Sequence, residues 1–419
     1  MYVRLGESLW RSGRYAIDGI PYAKHLPLHP FLSYPFVRLT NPGVGMKLSS
    51  LLAGAFVLMA TYLLLRRPFG SATALLATGF LLFHHGFILM TMLGSADLLF
   101  TALFLGSLAA FEAAGTQRRM YLPAGIFLGF ACLTRYNGVL LFLVYPLFVF
   151  LKRPRDRTSG FFWGGILIAS AIFGLWFARN AIVFGNPFYT DYTAEFHDQI
   201  PSVTREVLRN LRYYFNPLHN VLPVLLGLAL WGLALWGKRR PLLLLGMLAG
   251  IVFALVWWVK GIRFAFPAYP ILLGFSAVGA PDLWNRVSWR PILIGLAALT
   301  VFLHSGALCV YTYGQCNAWF DRTIGHIPPD LGLSSEGLYG ISLARDYIDA
   351  FAPQGSAVLV SSINYWTWQT GVFRPDIHVV SHLKDRCPAY SIEQGKTDLM
   401  PLYTTESAPV TTVVLQKCT

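Results

Sequence analysis

Five short basic clusters, each lodged between apolar runs, constrain this chain more than any other feature. They are Arg66-Arg67, Arg118-Arg119, Lys152-Arg153-Pro154-Arg155-Asp156-Arg157, Lys238-Arg239-Arg240, and Arg286 with Arg290. The apolar runs cover residues 46–65, 71–93, 97–113, 121–134, 139–151, 161–182, 221–236, 241–259, 264–279 and 291–311. If the runs alternate across a bilayer, every basic cluster falls on one side. Cytoplasmic loops are the ones that keep Lys and Arg. The intervening connectors 94–96, 135–138, 184–220 and 260–263 are nearly uncharged or of mixed polarity. The pattern predicts an all-α polytopic membrane protein with about ten transmembrane helices, some short enough to be tilted or incomplete. Residues 1–45, 184–220 and 312–419 are then outside the cytoplasm.

The composition agrees. Of 419 residues, 55% are hydrophobic and 13% charged, against about 25% charged in soluble domains. A net charge of +13 suggests nucleic acid until its distribution is seen. Most of it is orientation charge, and no basic face with interleaved aromatics exists to carry a nucleic-acid partner. No Cys-x-x-Cys or Cys/His spacing points to zinc. Cys132 and Cys309 fall in apolar runs. Cys316, Cys387 and Cys418 fall in the tail, where a Cys387–Cys418 bridge would leave one cysteine over.

Three regions follow. Residues 1–45 form a polar, aromatic, Pro- and Gly-punctuated first outer segment with neither a signal peptide nor a span, as if a preceding span were missing. Residues 46–311 form the transmembrane domain, with 184–220 as an outer loop. Residues 312–419 read as a small extracytoplasmic α/β domain, with an amphipathic helix at 343–351 and strands at 357–361, 378–381 and 411–415. No internal repeat is visible, which weakens an inverted-repeat transporter.

The chemistry-bearing residues crowd the outer ends of the runs. Asp97, at the start of a run, is either a helix cap or a functional acid. Arg135 lies in Thr134-Arg135-Tyr136-Asn137-Gly138, between two runs that each cover only about 20 Å at 1.5 Å per residue. That turn is sunk below the outer surface, where a guanidinium needs an anion or an ion-pair partner. A phosphate fits, because Arg offers it paired donors. Lys260 and Arg263 break the orientation rule and so either bind an anion or snorkel to headgroups. Lys24, His25 and His29 add cationic or hydrogen-bonding groups, with Pro27 and Pro30 setting an extended approach to the first run. His84-His85 read as hydrogen-bonded core. Asp191, Glu195 and Asp198 recur at helical spacing and offer oxygens to a divalent cation, or form a solvated loop helix. No residue is assigned to a metal, and a divalent cation stays open as an addition. Cationic clamps around a carboxylate suit a lipid phosphate beside its sugar, with the carboxylate acting as base on an acceptor hydroxyl.

At these residues the chain resembles the GT-C membrane glycosyltransferases, in the branch of protein O-mannosyltransferases and lipid A aminoarabinose transferases. Tyr2, Gly13 and Leu26-Pro27-Leu28-His29-Pro30 resemble the latter parts of the family's amino-terminal pattern. Asp97 is similar to its second acidic position, and Leu133-Thr134-Arg135-Tyr136-Asn137-Gly138 to its Leu-Thr-Lys/Arg segment. Ala178-Arg179-Asn180 with Phe184-Gly185-Asn186-Pro187-Phe188-Tyr189, and Arg263-Phe264-Ala265-Phe266-Pro267-Ala268-Tyr269-Pro270, resemble two further segments. The match implies inverting transfer of a sugar from a polyprenyl-phosphate donor to a lipid, glycan or protein acceptor, at the outer face of a prokaryotic plasma membrane. It implies Asp97 as a catalytic residue at the second acidic position, with Arg135, Lys260, Arg263 and Lys24 at the donor phosphate. Tyr2, His25, His29, Tyr136 and Asn137 would line the substrate. The family's first acidic pair, which supplies the base, would precede Met1. A transporter or lipid flippase is the rival reading, and a non-catalytic scaffold or receptor a third.

Overall fold

The computed structural model describes residues 1–17, 19–192, 203–214, 223–257 and 261–286, separate positions from 288 to 302, residues 347–359 apart from 349, and four later strands. The chain divides into two compact units. One is Val3–Ser305 and the other joins Met1–Tyr2 to Gly306–Thr419.

The larger unit is helical. Its first segment holds α1 (Tyr2–Ser12), a two-stranded antiparallel hairpin of β1 (Ala16–Ile17) and β2 (Ile20–Pro21), and α2 (Leu28–Leu39). The expected extended approach is therefore corrected. Pro27 sits at the α2 cap with helical backbone angles, and Pro30 falls in the first turn. Proline is tolerated there because the first N–H groups of a helix have no partner in the helix. Then come α3 (Pro42–Phe69), α4 (Ser71–Leu82), α5 (His85–Met92), α6 (Ala96–Ala114), α7 (Tyr121–Cys132), α8 (Leu140–Lys152) and α9 (Gly160–Phe184). After them follow α10 (Val203–Tyr214), α11 (Pro223–Trp236), α12 (Pro241–Val256), α13 (Ile262–Ala265) and α14 (Tyr269–Arg286).

Among the described residues, four helices are long and apolar enough to cross a bilayer, against the ten runs of the sequence. They are Pro42–Phe69, Ala96–Ala114, Gly160–Phe184 and the joined Ile262–Arg286. The run 71–93 is not one straight helix. It bends by 61° between Ser71–Leu82 and His85–Met92, and counts as a fifth span only if the pair is taken together. The cause is local: His84 leaves the helix with extended angles, and its Nδ1 accepts the Gly86 N–H at 3.1 Å. Tyr136–Lys152 and Pro241–Val256 are apolar but shorter. The run 291–311 lies largely outside the described residues.

Burial ranks the helices. The Ala96–Ala114 and Ile262–Arg286 spans are each 78% buried inside the protein and Gly160–Phe184 only 28%, so the first two form the interior and α9 faces its surroundings. Small residues let backbones meet. A Cβ on Gly125 of α7 would collide with the Gly165 carbonyl of α9, and one on Gly232 of α11 with the Phe275 carbonyl of α14.

Four of the basic clusters meet at one end of this bundle. Arg67 donates to the Ala113 carbonyl (3.3 Å) and Thr116 Oγ1 (2.8 Å). Arg118 pairs with Asp156 at 2.8 Å, and Tyr121 donates to the other oxygen of Asp156 at 2.8 Å. Arg153 pairs with Glu112 at 3.1 Å, and Arg240 donates to the Pro68 carbonyl at 2.5 Å. Four of the clusters that the charge pattern expected on one side are thus gathered at one end of the bundle.

In the smaller unit, β3 (Ala357–Leu359), β4 (His378–Val380), β5 (Ala389–Gln394), β6 (Pro401–Thr404) and β7 (Thr411–Gln416) form one mixed sheet in the order β4-β3-β5-β7-β6. The β3 pairings are parallel and those of β7 antiparallel. Cys309, Cys316, Cys387 and Cys418 lie outside the described residues.

Candidate functional site

The helix ends opposite the basic clusters build the site. Gly94, in the left-handed region at φ +63°, turns the chain from α5 into α6. A Cβ there would also press on Met46 Cβ at 2.7 Å. Ser95 occupies the α6 cap position with extended backbone, so Asp97 is not the cap but a first-turn residue. A helix amino terminus favours a carboxylate by about 0.3–1 kcal/mol at exposed positions. Asp97 is only 3% exposed, and burial of a lone carboxylate is costly. Arg135 offsets that cost: its guanidinium forms an ion pair with Asp97 Oδ1. The ion-pair alternative for Arg135 is therefore present in the molecule.

Arg135 is aimed by the turn between α7 and α8. Its backbone is extended, its N–H donates to Ala131 O at 2.9 Å, and Gly138 N–H donates back to its carbonyl at 3.2 Å. Its guanidinium lies 5.2 Å from the centroid of the Phe264 ring, and that of Arg263 lies 4.8 Å from the same ring. Two cations thus share one aromatic platform. The backbone carrying Arg263 is clamped by α10. Asn210 Nδ2 donates to Leu255 O (2.9 Å) and Trp257 O (2.7 Å), and Tyr214 donates to Gly261 O at 3.1 Å. Burial raises the Tyr214 phenol above its ordinary value, against the pull of Gly261 and the Arg263 and Arg135 charges.

The first segment closes over this pole. His29, 1% exposed, reaches Gly94 O from Nε2 at 3.4 Å. Burial pushes its imidazole down to about 4, partly countered by that carbonyl. His25 stacks on Tyr22, whose hydroxyl lies 2.6 Å from its Nδ1. Burial first, then the charges of Lys24, Arg135 and Arg263, hold His25 well below its usual value. Three of the cations read from the sequence therefore act on one imidazole. Lys24 Nζ stands 5.4 Å from the Tyr192 ring, which also meets His25, Tyr136 and Trp257. Tyr136 donates to Ala23 O at 3.3 Å and accepts from Trp176 Nε1 at 3.1 Å. Asn137 is half-buried in the following turn.

Asp97, Arg135, Arg263, Lys24, His25, His29 and Tyr136 are thus brought to one pole. Tyr2 clusters with the carboxyl-terminal unit. Lys260, Glu195 and Asp198 lie outside the described residues. Among the described residues, no three His, Cys, Asp or Glu side chains gather as metal ligands. His84 and His85 are buried and stacked, with Tyr269 5.8 Å from His84. Sequence reasoning missed Tyr192, Phe264 and Tyr214. Their signal was an aromatic within a few residues of a cation or Gly in an outer connector.

Residues 24–177 match the family model for dolichyl-phosphate-mannose-protein mannosyltransferase. No curated protein sequence matches the chain. The fold is similar to that of ArnT from Cupriavidus metallidurans in the apo state (TM-score 0.66, 14% identity, 98% of this chain and 92% of that one). The same protein bound to undecaprenyl phosphate gives TM-score 0.65 and 15% identity, with 98% and 92% covered. An oligosaccharyltransferase from Archaeoglobus fulgidus, tethered with an acceptor peptide, gives 0.51 and 14%, over 88% of this chain and 58% of that one. Family match and fold together support the resemblance to GT-C glycosyltransferases of the mannosyltransferase and ArnT type, and with the apolar helices they describe an integral membrane protein.

Proposed function

From the premise of a GT-C-type membrane glycosyltransferase, we propose that this chain moves a sugar from a polyprenyl-phosphate donor to a lipid, glycan or protein acceptor, with inversion, at the extracytoplasmic face. The observation that carries the reading is the buried Asp97–Arg135 pair at a pole enriched in cations. The ArnT structure similar to this one holds undecaprenyl phosphate, the kind of lipid phosphate that such a donor would release.

The steps follow from charge. The acceptor oxygen attacks the anomeric carbon, the bond from that carbon to the phosphate oxygen breaks, and the polyprenyl phosphate leaves with the electron pair. Negative charge grows on the departing phosphate, and fixed cations stabilise it without reorganising. Arg135 and Arg263 are held by Phe264 and by the α10 clamp, and Lys24 approaches from the first segment. Asp97 keeps the Arg135 guanidinium in place, and its carboxylate takes the proton of the acceptor hydroxyl as the new bond to carbon forms. Rigid positioning of this kind accounts for several kcal/mol of a barrier.

The test is transfer of radiolabel from polyprenyl-phosphate sugars in membranes carrying the protein. Transfer that collapses in Asp97→Asn and Arg135→Ala supports the reading. Absence of transfer from every donor, with both variants as stable as the parent, overturns it.

A further inference from the structure

The bend at His84 aims α5 at the segment that carries Arg263. Within a bilayer, a broken helix frees backbone groups that the protein itself must satisfy. His84 serves both sides of the break. Its N–H donates to Leu81 O at 3.0 Å and closes α4. Its carbonyl accepts from the N–H groups of Phe87 (3.0 Å) and Ile88 (3.1 Å) and opens α5. Its ring Nδ1 accepts the Gly86 N–H, as an Asn or Asp side chain does at a helix start. The ring is buried, stacked on that of His85 with 4.7 Å between centroids, and 5.8 Å from that of Tyr269.

The first turn of α5 packs along that segment. A Cβ on Gly86 would collide with Ile262 Cδ1, and Phe87 stacks on Phe266 at 6.4 Å. Ile262, Phe266 and Tyr269 are all buried. They flank Arg263 and Phe264, whose ring serves both Arg263 and Arg135. The α10 clamp acts on the backbone as far as Gly261, and α5 takes over from Ile262. The far end of α5 runs through Gly94 into α6 and Asp97. One short helix thus joins the Arg263 side of the cradle to the Asp97–Arg135 side. Its eight residues cover about 12 Å at 1.5 Å each, so removing the 61° bend would displace one end by a similar length. With α4 and α5 in line, the two sides could not both be reached.

Resting on the reading of this pole as a donor-phosphate cradle, we infer that His84 is a positioning residue for it. By ending α4 and capping α5, His84 sets the spacing between Arg263 and the Asp97–Arg135 pair. It acts through the backbone break and the Gly86–Ile262 contact, and touches no substrate.

The experiment uses the whole protein in phosphatidylcholine nanodiscs, with farnesyl phosphate as the probe and amide hydrogen exchange as a second readout. His84→Phe keeps a ring but removes the acceptor. His84→Asn keeps an acceptor for the N–H two residues on but removes the ring. The expected result is a Kd about tenfold weaker for His84→Phe and within about twofold of the parent for His84→Asn. Exchange in His84→Phe should quicken in 261–266 as well as in 84–96. Ile262→Ala cuts the link from its other end and should weaken binding severalfold with the α4–α5 break intact. Added to Arg263→Ala, His84→Phe should cost little more, since both act on one group. Faster exchange confined to 84–93 with an unchanged Kd would make His84 merely structural and overturn the inference. Equal losses in the Phe and Asn variants, or full additivity with Arg263→Ala, would overturn it too. Should His84→Phe fail to fold, an unchanged Kd in Ile262→Ala does the same. A parent that binds no farnesyl phosphate defeats the donor reading instead, and exchange at 261–266 still decides whether His84 holds that segment.

Discussion

The two ends of the helical unit are both rich in arginine, yet they treat it differently. At the basic end, Arg153 meets Glu112, Arg118 meets Asp156, and Arg67 and Arg240 close on backbone carbonyls. Arg118 keeps 53% of its side chain in the open. These are loops orienting and fastening a bundle. At the other end the carboxylate is buried at 3% exposure, its arginine partner is a quarter or less exposed, and Arg263 and Lys24 stand nearby. The first end needs charge of one sign in roughly the right place. The second needs particular atoms in particular places.

The largest effect expected is at the second end. Asp97→Asn and Arg135→Ala should each lower sugar transfer by about a hundredfold or more, the scale for losing one fixed stabiliser of transition-state charge. Arg135→Ala should also destabilise the protein by about 3–5 kcal/mol, because it strands a buried carboxylate. The double variant should be little worse than either single one. Thermal midpoints and transfer rates on the three variants check this, and simple additivity would break the pairing.

Acid should act on the same end. His25 and His29 are both held below the usual histidine value. The unfolded chain therefore takes up protons first, near pH 6.5. Their contribution is complete above that pH and is lost as pH falls, continuing for His29 towards its folded value of about 4. Each contributes a slope of at most about 1.4 kcal/mol per pH unit. Thermal midpoints from pH 7 to 4.5 should fall for the parent and fall less for His29→Gln. Equal slopes would place the acid sensitivity elsewhere.

The smallest effect is expected at the basic end. Arg118→Ala should cost less than Arg135→Ala, because Arg118 stands half in the open and the buried Asp156 keeps its hydrogen bond from Tyr121, and should leave transfer unchanged. A hundredfold loss there would erase the distinction between the two ends.

The sequence carried the first end almost entirely. Orientation charge is local, so Arg66-Arg67 or Lys238-Arg239-Arg240 can be read without knowing what they touch. Arg135 was legible for a related reason: the short runs on either side leave it no distance to the surface. The 71–93 run was less legible, because hydropathy does not record that the His84 ring caps the next helix and bends the run by 61°. Asp97 read as either a cap or a functional acid; the cap position goes to Ser95, and the ion pair Asp97 makes depends on a residue 38 positions away, beyond any local pattern. Pro30 looked like an extended-chain signal and is a first-turn helix residue. Tyr192, Phe264 and Tyr214 could not be separated from many other aromatics, because their importance lies in contacts made across the fold. The strands 389–394 and 401–404 were missed because neither is a β-branched run, and their pairings, with β3 and β7 for the first and β7 for the second, are made across the sheet rather than signalled locally.

The central claim is that the Asp97–Arg135 end is a polyprenyl-phosphate cradle. Its most direct test is equilibrium binding of a short-chain polyprenyl phosphate to the purified protein, its Arg263→Ala variant and its Arg118→Ala variant. The account predicts at least about a tenfold weaker Kd for Arg263→Ala, equivalent to roughly 1.4 kcal/mol, and no change for Arg118→Ala. Equal affinity in all three proteins, or a loss confined to Arg118→Ala, would contradict it.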